Sequence, residues 1–293
     1  MSHEVRRRRC PSGRMVVRVV VIGPVVLVVA AAVGVVVGAR ALQHRIAYFP
    51  DLEALPPAAV VLPGAQDVTL TTSDGLRLVA WFVPPNPRVP VRDQAVLVAH
   101  GNAGSLSGRA QLASALADRG FAVLLVGYRG FSQNPGTPSQ KGLVRDALAA
   151  QQELAARGFG PDKTIYFGES IGTGVVTALA AQVPPAGLVL RSPFTSLHDV
   201  GTTVIPVPAL VSVVMNRNAY PVATQLAAID VPTTVLYGTC DETVPACQSE
   251  AVAAAALDLF EEVAVPGAGH NNALWMGPTV ADGVVRLADS VRG

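Results

Sequence analysis

The chain has 293 residues, half of them hydrophobic, with a mean hydropathy of +0.41 and a formal net charge of +1. That length accommodates one large α/β domain with an appendage. The near-neutral charge gives no electrostatic basis for a nucleic-acid partner, and much of the hydrophobic excess lies near the N-terminus.

Residues 1–18 are basic, with Arg6, Arg7, Arg8, Arg9, Arg14 and Arg18. Residues 19–39 then carry no charge and are nearly all Val, Ala, Ile, Leu or Gly, about the length needed to cross a bilayer as a helix. The arginine excess before this run, against Arg40 and Arg45 just after it, keeps the N-terminus cytoplasmic and exports the remainder of the chain. The expectation is a single-pass membrane protein. Two alternatives stand beside it: a signal cleaved near Ala41, giving a secreted chain that begins at Leu42, and a buried core helix. Export would place Cys240 and Cys247 in an oxidising compartment, where they could pair or stand as two ordinary small residues. No cysteine or histidine spacing matches a zinc or iron–sulfur site.

Residues 40–66 read as a proline-punctuated linker with Pro50, Pro56, Pro57 and Pro63, and a catalytic domain occupies 67–293. Asp67–Thr72 and Leu76–Val83, joined by Ser73, Asp74 and Gly75, predict a hairpin at a sheet edge. Gln94–Ala99 is a buried strand that ends in His100, Gly101, Asn102, Ala103 and Gly104. Helices over Ser107–Arg119 and Ser139–Arg157 each end in Arg followed by Gly, which suits a helix C-terminus. Asp146 is expected on a helix surface or in packing.

The chain is organised around Lys163–Val175. Its β-branched and aromatic run leads into Gly168, Glu169, Ser170, Ile171 and Gly172, and a small-residue helix comes next. This is the pattern of a strand, a sharp turn that strains and lifts the serine, and a helix, with glycines where a Cβ would clash. Ser170 is the candidate nucleophile. After a strand at Gly187–Leu190, residues 192–230 break the alternation and read as a small apolar cap. Strands at Thr233–Tyr237 and Glu262–Val265 deliver two further loops, one carrying Asp241 beside its rival Glu242, the other carrying His270. His100, His198, His3 and His44 do not come after the final strand.

The order serine, acid, histidine is that of the α/β-hydrolase fold and not of chymotrypsin or subtilisin. The expected architecture is a mostly parallel central sheet with helices on both faces and function at the carboxyl ends of the strands. In such a fold the loop at His100–Gly104 supplies one oxyanion donor. Asn102 N–H and Ile171 N–H are the expected pair, with Ala103 N–H as the alternative to Asn102.

Together, His100–Ser105, Tyr128–Gly130 with Pro138, Gly142 and Asp146, Gly168–Gly172, Ser192–Ser196, Asp241–Pro245 and Gly267–Asn271 resemble the Bem46 and ABHD13-like α/β hydrolases, single-pass membrane serine hydrolases. The resemblance runs from about residue 44 to the C-terminus. It implies a Ser170–Asp241–His270 triad that hydrolyses a small-molecule ester or acyl thioester with no metal or cofactor. Glu169 and Ile171 depart from the residues that this group often carries. Activity is then expected to fall in acid as His270 protonates. Acyl transfer or peptide hydrolysis through the same triad, and a non-catalytic membrane-tethered scaffold, are the alternatives.

Overall fold

The computed structural model describes residues 13–204 and 219–291. Its centre is an eight-stranded sheet. In chain order the strands are β1 (Gln66–Thr71), β2 (Arg77–Val83), β3 (Ala95–Ala99), β4 (Ala122–Leu125), β5 (Thr164–Glu169), β6 (Gly187–Arg191), β7 (Thr233–Gly238) and β8 (Leu259–Val265). Their spatial order is β8-β7-β6-β5-β3-β4-β2-β1. The β1–β2 and β2–β4 pairs are antiparallel and the rest are parallel, so the expected hairpin does form one edge.

Side-chain alternation explains why both faces are covered. Leu97, Leu124, Tyr166, Leu188 and Leu190 point into one apolar cluster, while Val96, Val98, Val123, Phe167 and Val189 point into another. The first cluster packs helices α3 (Gln140–Ala156), α4 (Ile171–Ala180) and α6 (Val222–Leu226) on the sheet. The second packs α2 (Ala110–Ala117) and α8 (Pro278–Ser290), with Trp275 between the helices and the sheet. Continuous apolar strands of this kind are what a sheet buried on both faces requires. From β3 the chain crosses to β4 on one side, whereas β5 lies on the other. The loops after β3 and β5 therefore diverge and leave a crevice at the strand ends.

Two sequence expectations change, and one with two alternatives is decided. First, helix α1 runs from Gly13 to Ala47, well past Ala39, so the linker begins later. Its window Val25–Leu42 has a mean hydropathy of 2.5 and is 6% buried, which removes the core-helix reading and leaves a helix long and apolar enough to cross a membrane. The segment after it docks on the domain. His44 Nε2 donates to Pro138 O at 2.9 Å, the Tyr48 and Tyr220 hydroxyls meet at 2.8 Å, and Phe49 N–H donates to Asn102 O at 2.8 Å.

Second, of the two places expected for Asp146, helix surface or packing, the structure has the packed one. Asp146 is fully buried and accepts from Arg129 Nε, Nη2 and backbone N–H at 2.8–3.1 Å, while Arg129 Nη1 reaches Asp74 in the hairpin turn at 2.8 Å. The guanidinium thus ties the edge hairpin to α3.

Third, Cys240 and Cys247 are free and exposed rather than paired. Cys240 N–H is held by Ala268 O at 3.0 Å, and Cys247 lies in the first turn of helix α7 (Ala246–Ala255). The chain between them wraps a carboxylate instead of closing a bridge. Both thiols are therefore expected to react with iodoacetamide without prior reduction, as read by peptide mass spectrometry; two unmodified thiols would restore the disulfide. Cys10, Ile205–Met215 of the apolar cap run and the first part of the basic N-terminus lie outside the described residues.

Candidate active site

The strand-to-helix junction at Ser170 has the strain that the glycine spacing predicts. Ser170 sits at φ 53° and ψ −118°, a backbone conformation that a non-glycine residue rarely adopts. A Cβ at Gly172 would stand 2.1 Å from Ala99 O, and one at Gly168 would stand 2.6 Å from Gly172 O. Only glycine fits either place. The turn is pinned by Ser170 N–H to Arg191 O at 2.9 Å, and by Thr173 Oγ1 donating to Ser170 O at 2.6 Å.

Asp241 and His270 meet as expected: His270 Nδ1 and Asp241 Oδ2 are 2.7 Å apart. The other carboxylate oxygen accepts from the N–H groups of Thr243 at 2.9 Å and Val244 at 2.7 Å, and Ser192 Oγ donates to Oδ2 at 2.9 Å. Burial works to raise the pKa of this carboxyl, but hydrogen bonds from His270, Val244 and Ser192 outweigh it and hold the group below the ordinary carboxylate range. An acceptor this well supplied keeps its charge and fixes which histidine nitrogen faces it. Glu242, the rival acid, is exposed. His100 is excluded as a base by its surroundings: burial first, then the nearby Arg109 cation, depress its pKa to about 4, and its ring packs against Tyr128 and Phe131.

Ser170 and His270 line one polar pocket, although among the described residues no hydrogen bond joins the serine hydroxyl to the imidazole. That polar pocket is about 280 Å³ and also exposes Asn102, Ala103, Arg109, Thr243 and Asn271. An apolar pocket of about 140 Å³ also borders Ser170, walled by Ile171, Phe194, Leu197, Val200, Val244 and Ala47. Asn102 and Ser170 border both pockets, whereas Ala103 borders only the polar one. Ile171 opens α4, so its N–H has no partner within the helix. Phe194 and helix α5 (Leu197–Val204), both within residues 192–230, form one wall of the apolar pocket.

The sequence reading missed a buried charge cluster behind the turn. Glu169, 4% exposed, pairs with Arg191 Nη2 at 2.8 Å and with Arg109 Nη2 at 2.5 Å. Arg191 Nη1 donates to His270 O at 2.8 Å and to Ser192 Oγ at 3.3 Å. One guanidinium thus links the serine turn, the acid's hydroxyl partner and the histidine loop. The signals were Glu169 and Arg191, each a charged residue closing an otherwise mostly apolar strand.

A strained serine between two glycines, an Asp–His pair on the loops after β7 and β8, and a glycine-rich loop after β3 that lines the same pocket are the arrangement of one superfamily: the chain belongs to the α/β hydrolases. Residues 94–229 match the family described as alpha/beta hydrolase fold. The chain is 44% identical over 271 residues to the uncharacterized protein Rv2307c of Mycobacterium tuberculosis, covering 92% of this chain and 93% of that one. It is 30% identical over 177 residues to the lysophosphatidylserine lipase ABHD12 of Danio rerio, covering 53% of this chain and 46% of that one. Among solved structures it resembles the Pyrococcus furiosus esterase PF2001, with a TM-score of 0.65 at 17% identity over 84% of this chain and 98% of that one, a likeness of fold.

Proposed function

We propose that the protein is a membrane-anchored serine hydrolase of the Bem46-like type that cleaves carboxylic esters or thioesters of apolar acyl groups. The observation that carries this reading is a strained Ser170 in the same pocket as a His270–Asp241 pair bonded at 2.7 Å. His270 takes the proton of Ser170 Oγ as that oxygen attacks the acyl carbonyl. Asp241 holds the imidazole tautomer and stabilises the imidazolium, and the N–H groups of Asn102 and Ile171 receive the oxyanion. The alcohol or thiol leaves with the proton from His270. Water, deprotonated by the same histidine, then releases the acid.

The two pockets support a reading in which the substrate divides between them. His270 must reach the leaving atom, and it lines the polar pocket, so the alcohol or thiol part belongs there. The acyl part then occupies the apolar pocket, a volume close to that of a cavity known to hold benzene, which suits a short acyl group or the carbonyl end of a longer one. A lipid acyl ester agrees with this division and with the name of the Danio rerio relative. Helix α1 carries the domain with its basic N-terminus in the cytoplasm.

The test is fluorophosphonate labelling of membranes that contain the wild-type protein or Ser170→Ala at equal expression. Labelling of the wild type that disappears in Ser170→Ala is the expected result. A folded wild type that never labels overturns the enzyme reading in favour of the scaffold.

A further inference from the structure

The stretch that joins α1 to the domain is too closely engaged with the site to be a tether. Ala47, the last residue of α1, is 2% exposed and lines the apolar pocket together with Ser170. Two residues on, Phe49 and Pro50 form a parallel bridge with Ala103 and Gly104, and Phe49 N–H donates to Asn102 O at 2.8 Å. That carbonyl belongs to the residue whose own N–H is the proposed oxyanion donor. The Phe49 side chain is 54% exposed, so what this residue gives the site is its backbone.

The register of this turn is held from both sides. Tyr48 OH meets Tyr220 OH at 2.8 Å, and the Tyr220 ring lies where a Cβ at Gly174 would come within 2.5 Å of it, so Tyr220 rests directly on the helix that begins after Ser170. Asp51 O accepts from Ser132 N–H at 2.6 Å. The segment is therefore fixed both to the oxyanion loop and to the nucleophile's helix.

Helix geometry gives the distance from the bilayer. Ala47 lies five residues beyond Leu42, the end of the apolar window, which is about 7.5 Å along the axis. The headgroup layer on each side of a bilayer is roughly 5–8 Å deep. The apolar pocket thus opens beside α1 at the outer edge of the headgroup layer, about one headgroup depth from the ends of the lipid chains.

We propose that Ala47–Phe49 is a working part of the acyl site: Ala47 is a specificity-determining wall that limits acyl length, and Phe49 N–H is a positioning group for the oxyanion loop. This rests on the serine-hydrolase reading above and deepens it. The acyl chain enters along α1, so the site takes acyl groups presented from the membrane side.

The experiment uses the full chain in membranes or detergent and p-nitrophenyl esters from acetate to octanoate. In Ala47→Phe the ratio of octanoate to acetate kcat/KM is expected to fall by about tenfold or more relative to wild type. Phe49→Pro, which removes the N–H, is expected to lower kcat by on the order of 10²-fold with little change in KM, and Phe49→Ala, which keeps the N–H, recovers most of it. An active wild type whose chain-length profile is unchanged by Ala47→Phe overturns the proposal, as does Phe49→Ala falling as far as Phe49→Pro. A wild type that neither labels with fluorophosphonate nor turns over any ester overturns the hydrolase reading itself. Because Ala47→Phe removes no backbone N–H and an acetate turnover close to wild type shows that it is folded, the chain-length arm decides even where the proline variant fails to fold.

Discussion

Asp241→Asn is expected to lower kcat on ester substrates on the order of 10⁴-fold while leaving KM and the unfolding midpoint close to wild type. The carboxylate accepts four hydrogen bonds, from His270 Nδ1, Ser192 Oγ and the N–H groups of Thr243 and Val244. An amide of the same shape keeps one oxygen for part of this set but presents N–H where the other oxygen stood. The imidazole loses the acceptor that selects its tautomer, and the imidazolium formed during proton transfer loses a neighbouring charge. Steady-state kinetics with a thermal-melt control reads the outcome, and a loss of under about tenfold would remove Asp241 from the proposed mechanism. Asn at 241 also tests Glu242, since a catalytic Glu242 would leave the variant active.

Glu169→Ala is expected to destabilise the fold by about 3–5 kcal/mol, measured by urea unfolding, because it leaves Arg191 charged, 1% exposed and without its carboxylate. Glu169→Gln keeps the shape and isolates the charge. The sign of the pH dependence comes from the same pairing. Burial raises the pKa of Glu169, but the Arg191 and Arg109 cations outweigh it and hold the group at about 2 against an ordinary 4.5. The folded state thus binds this proton later than the unfolded chain does. Its contribution is fully present above about pH 4.5 and is lost as pH falls toward 2. Wild-type stability should therefore drop across that window more steeply than that of Glu169→Gln. Parallel curves would mean that the charge adds nothing.

What the sequence disclosed and what it hid divide along chain distance. The turn at Ser170 was readable because its requirements are local: glycine two residues to either side, a β-branched strand before and a small-residue helix after. The strands announced themselves by continuous apolar runs, and the order of Ser170, Asp241 and His270 reflects loops that end successive parallel strands. The Glu169–Arg191–Arg109 cluster was not readable, since 60 residues separate Arg109 from Glu169 and 22 separate Glu169 from Arg191, and no spacing rule links them. Asp146 was ambiguous for the same reason, its partner Arg129 lying on a loop before the helix. The end of α1 was misjudged because polar residues at Gln43, His44 and Arg45 close the apolar run, although they do not close a helix whose last turn is held through His44 on Pro138. The cysteine pairing failed because proximity in sequence says nothing about a loop whose shape is dictated by the carboxylate at its centre.

The two rims of the sheet differ in how they discourage self-association. β1 alternates from Asp67 onward, with Asp67, Thr69 and Thr71 exposed and Val68 and Leu70 buried. Strand β8 leaves Leu259 and Phe260 uncovered at about two-fifths exposure, the sort of open rim on which a second copy could add a ninth strand. Glu261 and Glu262 come at once in the same strand, with Glu261 also held by Arg286 at 2.9 Å. A second copy laid edge to edge would bring the glutamates of both strands together. What guards this rim is like-charge repulsion rather than shape, and salt weakens that guard.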